Sequence, residues 1–371
     1  MTGGTGAAYR RGVLVPPARR AALRRRLLAW WDGGHRELPW RFPQHAADPY
    51  RVWIAEVMLQ QTQVATVVPY YERFVARYPT LGALAAARED DVLALWSGLG
   101  YYARGRNLRA AAREAVSRHG GLPASLEALR ELPGFGPYTA GAVASIAFAI
   151  PAPAVDGNVT RVLARLEAVP GEPAERRFRA RVAGAAAELV EPGRPGDWNQ
   201  ALMELGATLC SRRAPACHRC PVASLCAARA AGTAEELPAA RRRPARRPLT
   251  LACAVVWRRG ALLLARRPAA GLFGGLWAPP AAEVAAGNDA RSALSRALRR
   301  GPGGRWAVGE EVAACERILT HRDLTLRAFR CEPRGRVASS GALRWVSPRE
   351  LDGCGVPSAV RALIDLAGAG R

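Results

Sequence analysis

The sequence contains no lysine, because all 54 of its basic residues are arginine. No side-chain amine is therefore available for a Schiff base, so lysine-imine catalysis is excluded. The sequence also lacks any apolar run close to the roughly 20 residues that a membrane-spanning helix needs. The N-terminal residues have no hydrophobic secretory core. We therefore expect a cytoplasmic protein with no membrane partner.

Acidic residues are scarce. There are 31 against 54 arginines, so the formal net charge of the 371-residue chain is +23. Such an excess points to a polyanionic partner, nucleic acid first, and we expect a monomer associated with the nucleoid. Hydrophobic residues make up 49% of the chain, enough for two or three ordinary domains.

Eight cysteines are present, but they are not spread like a disulfide framework. Four of them crowd into one segment with the spacing C-x6-C-x2-C-x5-C: Cys210, Cys217, Cys220 and Cys226. Zinc sites of four cysteines usually pair two C-x2-C units, whereas a single C-x2-C with longer arms favours a four-iron cluster. These cysteines predict one [4Fe-4S] cluster, with unliganded thiols as the alternative.

Composition divides the chain into four regions. A basic segment, 1–22, precedes a helical domain at 23–232, in which one helix is predicted at Pro49–Gln63. Residues 233–249 are rich in arginine and proline and predict an exposed linker. Short, partly alternating strands with two helices then predict a separate α+β domain at 250–371.

A glycine-rich turn joins two predicted helices within residues 126–147. Gly134 and Gly136 permit a tight turn with positive φ and leave backbone N–H groups uncovered at a helix N-terminus. Such groups bind phosphate without reading base sequence. An ordinary glycine-rich connection between helices is the alternative, and the basic charge favours DNA.

Two carboxylates suit acid-assisted bond cleavage. Asp48 and Pro49 predict a helix start, and Glu56 lies one turn from apolar residues on that helix. Burial there would raise its pKa into the range of a general acid. Asp156 precedes another predicted helix. Taken alone, Glu56 could be a solvent-facing residue and Asp156 a simple N-cap; together they suit cleavage of a glycosidic bond.

Four motifs in order resemble the helix-hairpin-helix DNA glycosylases that carry a four-iron cluster, and most closely their adenine-specific members of the MutY type. The motifs are Glu56–Val64, Gly98–Arg104, Asp156–Val159 and Asn199–Gly206. The resemblance implies a mostly α-helical glycosylase fold with an iron-sulfur cluster loop and a C-terminal α+β Nudix-like domain. It also implies base-excision repair of duplex DNA with adenine opposite 8-oxoguanine or guanine.

By this resemblance Glu56 would protonate the adenine at N7, and Asp156 would stabilise the cationic sugar. Tyr138 would support the acid, and Asn158 would hold the carboxylates or water. Further residues would contact DNA or a base, by entering the duplex, touching the adenine edge or binding phosphate: Gln60, Gln61, Tyr101, Gly134, Gly136 and Gln200.

The C-terminal region resembles the Nudix fold over Arg266–Pro280. Thr320 and His321 would probe the oxidised guanine, with Leu319 in the place of the family's usual phenylalanine. Residues 281–300 hold few carboxylates, so nucleotide hydrolysis by this domain is not expected. Without the resemblance, Thr320 and His321 would be interpreted as a turn at a strand end.

Three alternatives use the same motifs. An endonuclease III-like glycosylase for oxidised pyrimidines has a lysine where this chain has Tyr138, so we expect a monofunctional enzyme instead. A non-catalytic DNA-binding protein with a metal cluster would not depend on Glu56. A Nudix hydrolase with a DNA-binding arm is disfavoured by the missing glutamates.

Overall fold

The computed structural model describes residues 15–240, 245–301, 305–335, 337 and 339–368. The chain divides into two compact units, one of residues 1–85 and 110–242, the other of residues 86–109 and 243–371. Residues 86–109 thus group with the C-terminal unit, although they lie within the predicted helical domain. Most of the predicted basic segment and residues 241–244 of the predicted linker lie outside the described residues. Within these ranges the helices are all too short or too polar to cross a membrane.

The first unit is helical. Its helices are α1 (Pro17–Asp32), α2 (Pro49–Leu59), α3 (Val64–Arg77), α4 (Leu81–Ala86, whose last residue falls in the second unit), α7 (Leu126–Glu131), α8 (Pro137–Phe148), α9 (Gly157–Leu166), α10 (Arg176–Leu189), α11 (Pro195–Thr208) and α12 (Ala227–Ala230). Helix α6 (Ala103–His119) starts in the second unit and ends in the first.

Helix α2 begins where the sequence predicted but ends earlier. The Asp48 carboxylate accepts a hydrogen bond from Tyr50 N at 2.9 Å, and Pro49 occupies the first turn. The prediction of a helix to Gln63 was wrong, because Gln61 has a φ of 60° and breaks the helix after Leu59.

One apolar core joins α1, α9, α10 and α11. Its members are fully or nearly buried and include Leu27, Val162, Phe178, Trp198 and Leu205. Three cysteines of the predicted cluster pack against this core, so the cysteine-rich segment is held by the same helices that carry Asp156 and Asn158.

The second unit contains helix α5 (Glu89–Leu95), the start of α6 and an α+β domain. The strands are β1 (Arg247–Val255), β2 (Trp257–Arg258), β3 (Ala261–Arg266), β4 (Trp277–Ala278), β5 (Ala281–Val284), β6 (Trp306–Ile318), β7 (Arg322–Pro333) and β8 (Leu343–Val346). The helices of this domain are α13 (Ala290–Arg300) and α14 (Ser358–Gly368).

Two four-stranded sheets form this domain. In the first, the order is β5-β1-β7-β6, with β1 parallel to β7 and the outer pairs antiparallel. In the second, β3 pairs with β2, β4 and β8. Separate apolar clusters place α13 against one set of strand side chains and α14 against another. The predicted order, a helical region followed by a region of strands with two helices, is confirmed.

Candidate active site and cysteine cluster

Glu56 is buried in the first unit, with only 6% of its surface exposed. Its neighbours Trp53 and Met58 on α2 are fully buried, so the carboxyl lies in apolar surroundings. Burial raises the pKa of Glu56 to about 7, and the charge of Asp156 adds to that effect. A hydrogen bond from Tyr138 and the charge of Arg41 oppose the shift. The alternative of a solvent-facing Glu56 is therefore wrong.

Tyr138 is the direct partner of Glu56. Its phenol donates a hydrogen bond to Glu56 Oε2 and also lies 3.5 Å from Met203 Sδ. Tyr138 stands in the first turn of α8, directly after the glycine-rich turn. Burial and the nearby carboxylates raise the pKa of its phenol well above the ordinary value, so it stays a donor.

Asp156 is both the N-cap of α9 and a half-buried carboxylate near Glu56. Its Oδ1 accepts from Val159 N at 2.7 Å, and its Oδ2 accepts from Asn158 Nδ2 at 3.1 Å. Burial raises the pKa of Asp156, while these two hydrogen bonds favour the charged form. The local interpretation as an N-cap is confirmed, and it does not compete with a chemical role.

Asn158 is held in turn by Arg161. Arg161 Nη2 donates to Asn158 Oδ1 at 2.8 Å and to Gly206 O at 2.8 Å, while its Nε donates to Cys210 O at 2.8 Å. Helix α11 lies close to Asn158 at this point, since a Cβ added at Gly206 would be 2.7 Å from Asn158 Cβ. Asp156 is thereby connected through Asn158 and Arg161 to the backbone of the first cluster cysteine.

The loop before Asp156 is fastened by Asn199, which is 1% exposed. Its amide nitrogen donates to Ser145 Oγ and Ala152 O, both at 2.8 Å, and its oxygen accepts from Ala154 N at 3.1 Å. Every polar atom of this buried amide is thus used to hold the loop. Its position in the motif Asn199–Gly206 could have indicated the importance of this residue, but not its role.

A buried ion cluster near Glu56 was missed in the sequence. Glu204 is 1% exposed and accepts from Arg36 Nε at 2.6 Å and from Arg41 Nη1 at 2.9 Å. Burial alone would raise the pKa of Glu204, but the two arginines outweigh it and lower the pKa. Nothing local predicts this cluster, because Arg36 and Glu204 are 168 residues apart.

The four cysteines surround one cavity. All four are partly buried free thiols lining an apolar recess of about 390 Å³, open solvent included, together with Val162, Leu205 and Val222. Burial, and to a smaller extent the three neighbouring thiols, raises the pKa of Cys220 to about 11. No three His, Cys, Asp or Glu side chains of the described residues stand close enough to share a single metal ion. The thiols thus border a space rather than meeting at one point.

Arg165 braces the cysteine-rich segment from α9. It is 2% exposed, and its Nη1 donates to Cys210 Sγ at 3.2 Å and to Ser211 O at 2.6 Å. Its other nitrogens donate to Arg212 O at 3.1 Å and to Leu237 O at 2.8 Å. A buried guanidinium against a cysteine sulfur suits a site whose ligands are thiolates.

The two glycines of the glycine-rich turn differ in backbone conformation. Gly134 has a φ of 79°, as expected, but Gly136 has a φ of −73° and serves as the N-cap of α8. The tight turn with positive φ is thus present at Gly134, whereas Gly136 adopts the extended backbone of a helix cap. A side chain at Gly136 would meet nothing within 4 Å, so the backbone there faces open space.

The predicted glutamines occupy three settings in the first unit. Gln60 follows α2 and donates to Thr139 Oγ1 at 3.0 Å, beside Tyr138 in sequence. Gln61 is exposed, and Gln200 is half-buried on α11. Only Gln60 is thus connected by a hydrogen bond to the helix that carries Tyr138.

The remaining predicted contacts lie in the second unit. The hydroxyl groups of Tyr101 and Thr320 are hydrogen-bonded at 2.6 Å. His321, the next residue, is exposed. Leu319 is half-buried against the domain core, whereas the preceding Ile318 is 74% exposed. Leu319 therefore packs inward.

The two carboxylates near helix α13 do not form a metal site. On β5, Glu283 is exposed, and Asp289 caps α13 by accepting from Ser292 N at 2.7 Å. Helix α13 itself carries no carboxylate, so a Nudix metal site is not formed by it.

The raised pKa of Glu56 predicts how activity depends on pH. If Glu56 must carry a proton, kcat/KM should be high below pH 7 and fall as the pH rises through about 7. Replacing Tyr138 by phenylalanine removes a hydrogen bond that lowers this pKa, so the fall should move to higher pH. Both profiles can be measured as single-turnover rates over a range of pH. A rate that increases through pH 7 in the wild type would contradict Glu56 as an acid.

These features, a helix-hairpin-helix element beside a buried acid and a separate Nudix-like domain, define a class of DNA repair protein. Residues 54–186 match the family described as HhH-GPD superfamily base excision DNA repair protein, and residues 252–366 match the NUDIX domain. The solved structure of a thermostable thymine-DNA glycosylase is similar to this chain, with a TM-score of 0.51 and 28% identity. The match covers 58% of this chain and 98% of that one.

Two curated relatives extend the match over both units. The adenine DNA glycosylase of Rattus norvegicus is 37% identical over 401 residues, covering 92% of this chain and 77% of the rat protein. That of Homo sapiens is 38% identical over 405 residues, covering 92% and 73%. The chain belongs to the adenine DNA glycosylase family. The predicted family, fold class and enzyme class are confirmed.

Proposed function

We propose that this enzyme removes adenine mispaired with 8-oxoguanine or guanine, and that it does not cut the DNA strand itself. The observation that carries the proposal is the buried Glu56 carboxyl, which is paired with the Tyr138 phenol and close enough to Asp156 to feel its charge. Such a pair supplies a proton and a negative charge to the two sides of a glycosidic bond. The names of the curated relatives support adenine as the base.

In the proposed reaction the adenine is turned out of the duplex, at a cost of a few kcal/mol. Glu56 holds a proton near neutral pH because burial raises its pKa, and it donates that proton to the leaving base, at N7 by the family resemblance. Asp156 is held by Val159 N and Asn158, and its negative charge stabilises the cationic sugar until a water molecule adds to the sugar carbon, loses a proton and leaves the abasic site. Asn158, fixed by Arg161, keeps Asp156 in place.

Cleavage of the strand by a lysine imine is excluded, because no lysine is available. Where a bifunctional relative would have its lysine, Tyr138 is already committed to Glu56. The enzyme is therefore proposed to be monofunctional, leaving an abasic site.

We propose that the DNA backbone binds at Gly134 and Gly136, which are both exposed, at the start of α8. Gln60, Gln61 and Gln200 are proposed to contact the duplex or the adenine. The net charge of +23 supports duplex DNA as the partner of a monomer that works on the nucleoid in the cytoplasm.

The four cysteines fit one [4Fe-4S] cluster, because four thiols border one apolar recess next to the buried Arg165. Cys210, Cys217, Cys220 and Cys226 would hold it, and the bound cluster would cross-link a segment of 17 residues, 210–226, that has little helix of its own. Arg165 and Arg161 connect that segment to α9 through Cys210.

The proposed cluster can be tested by measuring the metal content of the protein. Wild-type protein should contain about four irons per chain and show broad visible absorption. Cys220→Ser should lose most of the iron and melt at a lower temperature, because one ligand of the cross-link is missing. Cys253→Ala in the second unit is the matched control and should keep the iron. Colourless protein that carries zinc at these cysteines would contradict the proposed cofactor.

The C-terminal domain is proposed to read the base opposite adenine through Thr320 and His321, which are exposed side by side. The absence of carboxylates from α13 supports recognition rather than hydrolysis as its role.

The test is single-turnover incubation with duplexes carrying adenine opposite 8-oxoguanine or guanine, analysed with and without alkali. Cleavage at the adenine only after alkali is the expected result. Cleavage without alkali would contradict the monofunctional mechanism. No release of adenine, with release of an oxidised pyrimidine instead, would replace the proposal by the endonuclease III-like alternative. Binding without base release would favour a non-catalytic role.

A further inference from the structure

Residues 86–109 are bound to the C-terminal domain, although the family match at 54–186 includes them. Ser97 Oγ donates to Val356 O at 2.7 Å, and Arg106 donates to Gly274 O. The approach at Gly355 is close, since a Cβ there would lie 2.9 Å from Leu93 Cβ. The segment that contains the motif Gly98–Arg104 is therefore held from the Nudix-like side.

An ion cluster anchors the start of this segment. Arg266 Nη2 lies 3.0 Å from Glu89 Oε1 and 3.4 Å from Asp90 Oδ1, and Arg344 Nη2 lies 3.7 Å from Asp90 Oδ2. Both arginines also lie over the ring of Trp277, at 5.8 Å and 4.8 Å from its centroid. Asp90 is 9% exposed, so its charge is countered mainly by these two arginines from β3 and β8.

Tyr101 lies at the tip of the same segment. Its φ is 47°, and Gly98 and Gly100 before it also have positive φ, so the local backbone alone specifies this conformation weakly. The ring is 45% exposed and stacks on the Arg104 guanidinium, 5.6 Å from the centroid. Its hydroxyl meets Thr320 Oγ1 at 2.6 Å, across 219 residues of sequence.

We propose that Thr320 is a positioning residue for Tyr101, so that the C-terminal domain sets the duplex-entering loop before DNA binds. This rests on the proposed function, in which Thr320 reads the opposite base, and on the family resemblance, by which Tyr101 would enter the duplex. It adds that the Thr320 hydroxyl supports adenine release even when the base opposite adenine is ordinary guanine. A residue that only recognises the oxidised base would affect adenine release opposite 8-oxoguanine but not opposite guanine.

The hydrogen bond between Tyr101 and Thr320 is exposed, so its removal should have a modest effect on the loop and on the rate. A single hydrogen bond near the surface changes a local opening equilibrium or an encounter rate by about two- to tenfold. Tyr101→Phe keeps the ring and removes the hydroxyl, and Thr320→Val keeps the shape and removes the other hydroxyl. Because both delete the same contact, the double variant should be no worse than either single one.

The experiment uses the full chain, with four variants: Tyr101→Phe, Thr320→Val, their combination, and Thr320→Ser as the control that keeps a hydroxyl. Amide hydrogen exchange over residues 98–104 is measured without DNA. Single-turnover adenine release is measured with duplexes carrying 8-oxoguanine or guanine opposite adenine.

We expect exchange in 98–104 to be about two- to tenfold faster in both single variants, with no further change in the double variant and none in Thr320→Ser. Release opposite guanine should slow by a similar factor. Unchanged exchange in Thr320→Val, additive effects in the double variant, or a loss confined to 8-oxoguanine would each overturn the proposal. Inactivity of the wild type on adenine would instead overturn the proposed function, and the exchange result would still decide the positioning contact.

Discussion

Replacing Glu56 by glutamine should slow adenine release by about 100-fold or more, because the loss of a general acid typically costs about 10²- to 10⁴-fold. Glutamine has nearly the same shape, and its amide oxygen can still accept from the Tyr138 phenol. The melting temperature should therefore change little.

The matched control is Glu72→Gln on α3, where the side chain is exposed. It makes the same chemical change away from the site and should keep full activity. Single-turnover rates with adenine opposite 8-oxoguanine provide the comparison, and binding of the same duplex shows whether the variant still recognises DNA. A Glu56→Gln enzyme within about threefold of the wild type would remove Glu56 from the mechanism.

Asp156→Asn should give a second large loss, about 100-fold or more, with almost no loss of stability. Asparagine is as good an N-cap as aspartate, so the bond from Val159 N can be kept. What disappears is the negative charge that is proposed to stabilise the sugar cation. Because the charge of Asp156 raises the pKa of Glu56, the remaining activity should also fall at a lower pH than in the wild type.

Asp156→Ala separates the two roles of this residue. It removes both the charge and the cap, so it should lose activity to the same degree and also about 1 kcal/mol of stability. Thermal unfolding of the three proteins, measured beside their single-turnover rates, distinguishes the two contributions. If Asp156→Asn kept its activity while Asp156→Ala lost it, the residue would serve only as the cap of α9.

Several parts of the site could be predicted because they depend on neighbours in the sequence. The start of α2 follows from Asp48 and Pro49, whereas the apolar residues one turn from Glu56 left both a buried and a solvent-facing carboxyl open until the fold buried it. The cap at Asp156 is also local, since its partner is three residues on. Where local rules failed, the reason was a single backbone angle, as at Gln61, which ends α2 early.

Other parts came only with the tertiary structure. The partners of Glu204 are 168 and 163 residues away, and Tyr138, 82 residues from Glu56, was indicated only by the family resemblance. No periodicity or spacing encodes such pairs. The role of Asn199 is equally distant, because the carbonyl of Ala152 and the hydroxyl of Ser145 come from another part of the chain.

The sequence by itself determined the chemical resources of this enzyme: arginine without lysine, four clustered thiols, a carboxyl on an apolar helix face and the order of its motifs. The tertiary structure decided how they act, since it buried Glu56 against Tyr138 and brought Thr320 to Tyr101. The physical reason is that composition and short spacings act through local geometry. A pKa or a loop position depends on which distant groups displace water around it.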